Sequence, residues 1–181
     1  MSESLNFRLL RADEIEVRVS TVRQNGVSLL LYKDARCDMN ILDETVGPLN
    51  WQRSHSRDNK NCQVSIWDEE KSQWISKEDT GKESFSEPEK GLASDSFKRA
   101  CFNWGIGREL YTAPFIWAKY QDCNIKGNGQ RYSCYDQFSV EKILYDNRNI
   151  VALSICNITT GKRVFVYDNR PKDGDKSVQN G

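Results

Sequence analysis

The stretch SDSFKRACFNWGIGREL, residues 94–110, contains the most distinct helix signal in the chain. Its apolar residues recur at positions i, i+3, i+4 and i+7, the spacing that places side chains on one face of a helix. These residues are Phe97, Ala100, Cys101 and Trp104. Gly105 follows them and either ends or bends the helix. We therefore expect a helix that buries one stripe against another layer of the fold.

Basic residues flank this apolar stripe. At 100° per residue, Lys98 lies on its flank and Arg99 on the opposite side of the helix. Both charges could contact a nucleic-acid backbone, or they could form an ordinary solvated face, which is the commoner use of surface charge. Phe102 lies off the stripe, close to Lys98, so a second surface should cover part of the helix. A neighbouring subunit or a DNA backbone could supply that cover.

Working outward, the surrounding pattern predicts mainly strands. A helix over residues 33–46 and a polar loop or lid over 77–91 separate the predicted strands. The β-like runs are 14–19, 27–31, 50–54, 62–67, 73–76, 115–120, 138–145, 150–158 and 163–167. This order predicts an α+β fold with an antiparallel sheet. The last residues, 169–181, are expected to be a disordered tail.

The length and charge of the chain restrict the number of domains and the kinds of partner that can be inferred. The 181 residues suit one domain, and 26 basic against 26 acidic residues give a net charge of zero. Bulk charge therefore gives no hint of a polyanionic partner. No apolar run approaches the roughly 20 residues of a membrane span, and the N-terminus lacks a signal peptide, so we expect a soluble cytoplasmic protein with no membrane partner.

Several short strings resemble enzyme or cofactor motifs, but the residues around them do not fit those motifs. Gly81-Lys82 resembles the end of a P-loop, but Ser76 stands where that loop needs a glycine. One histidine and six scattered cysteines give no zinc spacing, and the thiols are expected to be free and mostly buried. Asp68, Glu69 and Lys71 could imitate the metal-binding pattern of a nuclease, although consecutive charges in a turn are usually solvated. We therefore expect no catalytic residue, metal or cofactor, with a nuclease as the enzymatic alternative.

Several of these stretches together resemble the Rad52-like single-strand annealing family. The 94–110 helix is similar to the long helix of its phage members, and an Ile15-x-x-Arg18 element resembles the family's preceding one. The spacing between these elements is also kept, at Tyr32-Lys33-Asp34-Ala35-Arg36, Asn40, Glu44, Gly47 and Trp51. The resemblance covers about residues 12–112.

The resemblance implies a fold and a set of contact residues. It implies a β-β-β-α core over residues 1–114 and subunits joined into rings or helical filaments. Residues 115–168 lie outside the matched region, and their β pattern predicts a β-rich extension of the same domain, which could extend the sheet, cover the core or mediate subunit contacts. Family contacts to the DNA backbone correspond by position to Arg18, Tyr32, Lys98 and Arg99. Phe102 replaces a further basic residue of the family, and Arg108 is the candidate substitute. Arg36 and Lys90 are additional candidates for the same groove.

The implied activity is annealing of complementary DNA strands without ATP, in recombination and repair. Backbone contacts leave the base edges free and carry no sequence information, which suits a protein that must accept any sequence. The implied partners are single-stranded DNA, the annealed duplex, further copies of the chain and a host single-strand-binding protein, in the bacterial cytoplasm. The alternative is a module that binds and protects single strands without annealing them.

Overall fold

Antiparallel sheets and two helices make up the structure, a computed structural model that describes residues 5–82 and 88–170, the side chains of 88–90 excepted. The predicted α+β class is confirmed. The chain divides into two compact units that alternate along the sequence. Unit 1 takes its described residues from 1–10 and 33–108, and unit 2 from 11–32 and 109–181. The division suggested at residue 114 stays a prediction.

Unit 1 is a three-stranded meander with two helices. The longer helix, α2, packs across the second and third strands and also contacts α1. Its elements are α1 (Ala35–Val46), β3 (Trp51–Ser56), β4 (Asn61–Asp68), β5 (Gln73–Thr80) and α2 (Pro88–Trp104). The strands pair in the order β3-β4-β5, so the predicted meander is confirmed.

The expected loop over residues 77–91 is wrong at both ends. Strand β5 continues to Thr80, because its polar residues pair with β4 through a register that ends at Asn61 and Thr80. Helix α2 begins at Pro88, almost two turns before the expected start. Proline is well tolerated in the first turn, where its missing N–H has no intrahelical partner. Residues 83–87 lie outside the described part of the chain.

The predicted stripe of α2 forms the centre of the unit 1 core. Phe97, Ala100 and Cys101 have no exposed surface, and Val64 of β4 is equally buried. Trp104 is only half-buried, and its indole N–H donates to the Val64 carbonyl at 3.0 Å. Burial of a side chain the size of Phe97 contributes about 1.5–3 kcal/mol. The helical spacing in the sequence therefore identified the packed face correctly.

A buried ion pair covers the other side of α2. Lys33 and Asp38 are both buried and bonded to each other, and the Lys33 ammonium lies 4.4 Å from the ring centroid of Phe102. Burial raises the pKa of the Asp38 carboxyl, and the adjacent Lys33 charge limits that rise. Gly107 is required beside this pair, since a Cβ there would lie 2.5 Å from Lys33 Cε. Lys33 of the same chain therefore covers Phe102, and neither a second subunit nor DNA is needed for this.

Unit 2 is built on a six-stranded antiparallel sheet. Its strands lie in the order β11-β10-β9-β1-β2-β6, and a separate two-stranded ladder pairs β7 with β8. The strands are β1 (Ile15–Arg23), β2 (Gly26–Lys33, whose last residue belongs to unit 1), β6 (Ile116–Lys119), β7 (Ile125–Gly127), β8 (Tyr132–Cys134), β9 (Phe138–Asp146), β10 (Asn149–Asn157) and β11 (Lys162–Asp168). All strands predicted in this unit are present, with shifts of a few residues at their ends.

The β2–β6 register separates a buried face of this sheet from an accessible one. Leu29 pairs with Ile116 and both are buried, whereas Ser28 pairs with Trp117 and both are only half-buried. This alternation follows from the two-residue period of a strand.

The cysteines and the helices bear on two further expectations across all described residues. All six cysteines are free and five of them are buried, as expected. Among residues 5–82 and 88–170, no helix has the length and apolar character required to cross a membrane. Of the predicted disordered tail, residues 171–181 lie outside the described part of the chain.

Candidate nucleic-acid interface

The two basic residues on α2 have different surroundings. Arg99 is partly exposed, and its Nε lies 3.5 Å from an oxygen of Asp79 on β5. Lys98 is half-buried and faces the beginning of α1. Hydrogen bonds from Arg36 hold the pKa of Asp34 below its ordinary value, and the Lys98 charge contributes to the same shift. Both residues lie off the buried stripe, as predicted, but carboxylates are close to both of them.

Arg36 combines high exposure with a local partner. Its side chain is 82% exposed, and its guanidinium pairs with Asp34 at 2.9 Å. Asp34 is the N-cap of α1 and accepts a hydrogen bond from the Arg36 backbone N–H, a usual arrangement at a helix start. The Arg36 charge is therefore accessible to solvent but partly balanced by the cap.

Arg108 contacts the C-terminal end of α2. Its guanidinium donates to the carbonyls of Phe102 and Asn103, the latter at 2.8 Å. Lys77 of β5 donates to the same Asn103 carbonyl at 2.9 Å. Cations at this end of a helix satisfy unpaired carbonyls and oppose the helix dipole. Arg108 thus has a structural role, and its contact with DNA stays a prediction. The side chain of Lys90 lies outside the described residues.

Arg18 and Tyr32 lie together on the β1–β2 hairpin of unit 2. The Arg18 guanidinium carbon is 4.9 Å from the centroid of the Tyr32 ring, and Arg18 also pairs with Glu16. Arg18 is exposed and Tyr32 is 38% exposed. A cation over an aromatic face is attracted by the ring quadrupole, which orients the guanidinium. The two residues were predicted separately, and the structure places them in direct contact.

Sequence reasoning missed the turn end of the same hairpin. A cavity of about 440 Å³ opens there, lined by residues that include Arg23, Phe115 and Trp117. A second cavity of about 470 Å³ lies on the other side of the turn, lined by residues that include Tyr120 and Tyr132. The alternation FIWAK in residues 115–119, with small and aliphatic residues between larger ones, was the available signal.

Comparisons with known proteins do not assign this chain to a family. No protein-family model, no curated protein and no solved structure matches the chain. The similarity to annealing proteins is therefore a resemblance between short motifs.

Proposed function

We propose that this protein binds single-stranded DNA and anneals complementary strands without ATP, through a Rad52-like β-β-β-α core. The observation that carries this proposal is the contact between Arg18 and Tyr32. Two residues that the resemblance assigns to DNA contact from separate positions, 14 residues apart, lie 4.9 Å apart on an accessible surface. An oriented guanidinium beside an exposed ring can hold a phosphate and leave the adjacent base free.

The order of elements in unit 1 also supports the proposal. Strands β3, β4 and β5 precede α2, and α2 packs on β4 and β5 by the stripe that the sequence predicted. Lys98 and Arg99 are off that stripe, so phosphate contact would not require the core to open. The same positions correspond to the backbone contacts of the annealing family.

Basic side chains that contact phosphates can promote annealing for an electrostatic reason. Two complementary strands repel each other through their phosphates, and basic side chains reduce this repulsion while the bases remain available for pairing. Base pairing supplies the free energy, so no nucleotide hydrolysis is needed. We propose that several copies assemble into a ring or filament in the bacterial cytoplasm, which repeats the surface along the DNA, and that a host single-strand-binding protein is a further partner.

The test is annealing of two labelled complementary oligonucleotides in EDTA without nucleotide. We expect the wild-type protein to accelerate duplex formation. A protein that binds the strands but slows pairing would instead be a protective single-strand binder, and Mg²⁺-dependent cleavage of the DNA would indicate a nuclease.

Lys98→Ala combined with Arg99→Ala should abolish annealing while the fold and the oligomer persist, since neither residue belongs to the buried stripe. Each lost phosphate contact should reduce the slope of log affinity against log salt by about 0.7. A control of equal charge change combines Lys71→Ala with Lys142→Ala, two exposed residues that the resemblance does not assign to DNA contact, and should anneal normally. Equal affinity and salt slope in both double variants would show that Lys98 and Arg99 are only a solvated face.

A further inference from the structure

The turn end of the β1–β2 hairpin carries an aromatic pair that is partly open to solvent. Phe115 and Trp117 stack with ring centroids 6.2 Å apart and an interplanar angle of 19°. Phe115 is 76% exposed, and with Trp117 it forms an adjacent pair of accessible rings, whereas single exposed apolar residues are common on any protein surface. The pair forms one wall of a cavity of about 440 Å³, whose other lining residues are Thr21, Arg23, Asn25 and Ser28.

The backbone is built to let these rings lie close to it. Gly26 of β2 pairs with Lys119 of β6, and a Cβ at Gly26 would lie 2.7 Å from the indole nitrogen of Trp117. The same Cβ would lie 2.4 Å from the carbonyl oxygen of Ala118, so any side chain at this position would displace the β6 backbone as well as the indole. The same arrangement occurs at the second cavity, where a Cβ at Gly127 would lie 2.3 Å from the ring of Tyr132.

The two cavities flank the same turn. The second one has a volume of about 470 Å³ and is lined by Gln24, Tyr120, Ile125, Gly127, Gly129 and Tyr132. The backbone N–H of Tyr120 donates to the Asn25 carbonyl at 3.0 Å, which fixes the start of the second cavity against the hairpin turn. Each cavity has the size of a small-molecule site and offers an aromatic wall.

Positive charge on this part of unit 2 is available to a ligand. Within the described part of the chain, Arg23, Lys119, Lys126 and Arg131 are exposed and have neither a hydrogen bond nor an ion pair from their side chains. Arg23 lines the first cavity, and Lys119 follows Trp117 on the same side of β6. Lys126 lies between two lining residues of the second cavity on β7, so the two-residue period of a strand turns its side chain to the opposite face, and Arg131 directly precedes β8 without lining the cavity. Aromatic rings interleaved with unpaired basic residues are the arrangement that binds single-stranded nucleic acid.

We propose that this hairpin-tip surface, defined by Arg23, Phe115, Trp117, Lys119, Tyr120 and Tyr132, is a further DNA site that stacks unpaired bases. It rests on the proposed function for the identity of its ligand. Every base has a π-face, so stacking accepts any sequence, as annealing requires. The hydroxyls of Thr21 and Ser28 and the Asn25 amide can contact the edges of a stacked base. Residues 115–132 thereby acquire a role in strand capture.

The experiment compares two fluorescent probes of equal length, oligo(dT) and an oligonucleotide with abasic sites at every position. Wild-type protein should bind oligo(dT) more tightly, because only that probe has bases to stack. Phe115→Ala should weaken oligo(dT) binding by about tenfold and leave abasic binding nearly unchanged. Arg23→Ala should weaken binding of both probes to the same degree and reduce the salt slope by about 0.7.

Matched controls separate stacking from general surface effects. Tyr135→Ala removes a ring that is 86% exposed but lines neither cavity, and Lys142→Ala removes an exposed charge on β9. Both controls should bind like the wild type. Quenching of 2-aminopurine placed in the oligonucleotide gives an independent readout, and Phe115→Ala should reduce it.

Two outcomes would overturn the proposal in distinguishable ways. If wild-type protein binds oligo(dT) but Phe115→Ala and Arg23→Ala bind it as tightly as their controls, the hairpin-tip surface is not a DNA site, and the proposed function stands. If wild-type protein binds neither probe, the proposed function and this inference both fall.

Discussion

The basic residues of unit 1 and those at the hairpin tip of unit 2 differ in what surrounds them. In unit 1, Arg36 and Arg99 face the carboxylates of Asp34 and Asp79, and Arg108 faces helix carbonyls. At the hairpin tip, within the described chain, Arg23 and Lys119 have no such partner. A nearby carboxylate reduces the field that a phosphate experiences. A motif thus locates a basic residue but does not show whether its charge is available.

Unit 1 also contains a lysine, Lys33, whose charge is shielded from solvent. Lys33 and Asp38 are both buried, and one oxygen of Asp38 has no hydrogen-bond partner among the described residues. A buried pair contributes little net stability compared with apolar residues of similar size, but loss of one partner leaves an uncompensated charge. Unit 1 therefore has a cation in its interior and surface cations that face carboxylates, whereas the cations of the hairpin tip lie on the surface without such partners in the described part of the chain.

The largest effect is expected from breaking this buried pair. Asp38→Ala should lower the free energy of unfolding by about 3–5 kcal/mol, because the Lys33 ammonium stays buried without its carboxylate. Urea unfolding followed by circular dichroism measures this change. The double variant Lys33→Met with Asp38→Leu should recover most of the loss, since it removes both charges and keeps the volume. A loss below 1 kcal/mol in the single variant would mean that Lys33 reaches solvent.

A smaller effect is expected on DNA binding when a neutralising carboxylate is removed from unit 1. Asp79→Asn keeps the shape of the side chain but frees Arg99, which lies 3.5 Å away. Affinity for oligo(dT) should rise severalfold, and the salt slope should increase by at most about 0.7 for each new phosphate contact. Fluorescence anisotropy at several salt concentrations measures both quantities.

The control for this experiment is Asp68→Asn, which frees Lys71 in the turn between β4 and β5. Its affinity should match that of the wild type, because the sequence gives this turn no part in the groove. If the two variants behave alike, the gain reflects net charge alone, and Arg99 has no special access to the strand.

The fold followed from the sequence where local signals decide it. The stripe around Phe97 and the turns between strands identified α2 and nearly all strands, because helix and strand periods are visible in a single segment. The division into two units did not follow, since β1 pairs with β9 through Val17 and Phe138, more than a hundred residues apart. A pairing at that separation has no local sequence signal.

The site was harder to predict for a related reason. The resemblance indicated Arg18 and Tyr32 from their spacing, but only the structure shows that they touch. The sequence also could not show that Lys33, at the start of a charged string, covers Phe102. The aromatic pair of Phe115 and Trp117 was present in the sequence as an alternating pattern, but the pattern was interpreted only as a strand. Availability of charge depends on tertiary neighbours, which composition does not report.

The smallest effect is expected from breaking the ion pair between Arg163 and Glu141. It tests whether an exposed arginine stays bound to its carboxylate in solution. In unit 2, Arg163 donates to both oxygens of Glu141, with Nε at 2.6 Å and an Nη at 2.5 Å. These hydrogen bonds lower the pKa of Glu141 from 4.5 to about 2. Because the folded-state pKa is depressed, the pair stabilises the fold above about pH 4.5, and this contribution is lost as the pH falls towards 2. The Arg163→Ala variant should therefore be less stable than the wild type above about pH 4.5, and this difference should shrink as the pH falls towards 2.

Carboxyl NMR of labelled glutamate follows the titration directly. We expect the Glu141 signal to titrate near pH 2 in the wild type and to return towards its ordinary pKa in Arg163→Ala, while Lys126→Ala, a change of equal charge outside this pair, leaves it unchanged. A wild-type signal that titrates near 4.5 would show that such exposed pairs are loose in solution. Arg36 and Arg99 would then be as available to phosphates as Arg23, and the contrast between unit 1 and the hairpin tip would disappear.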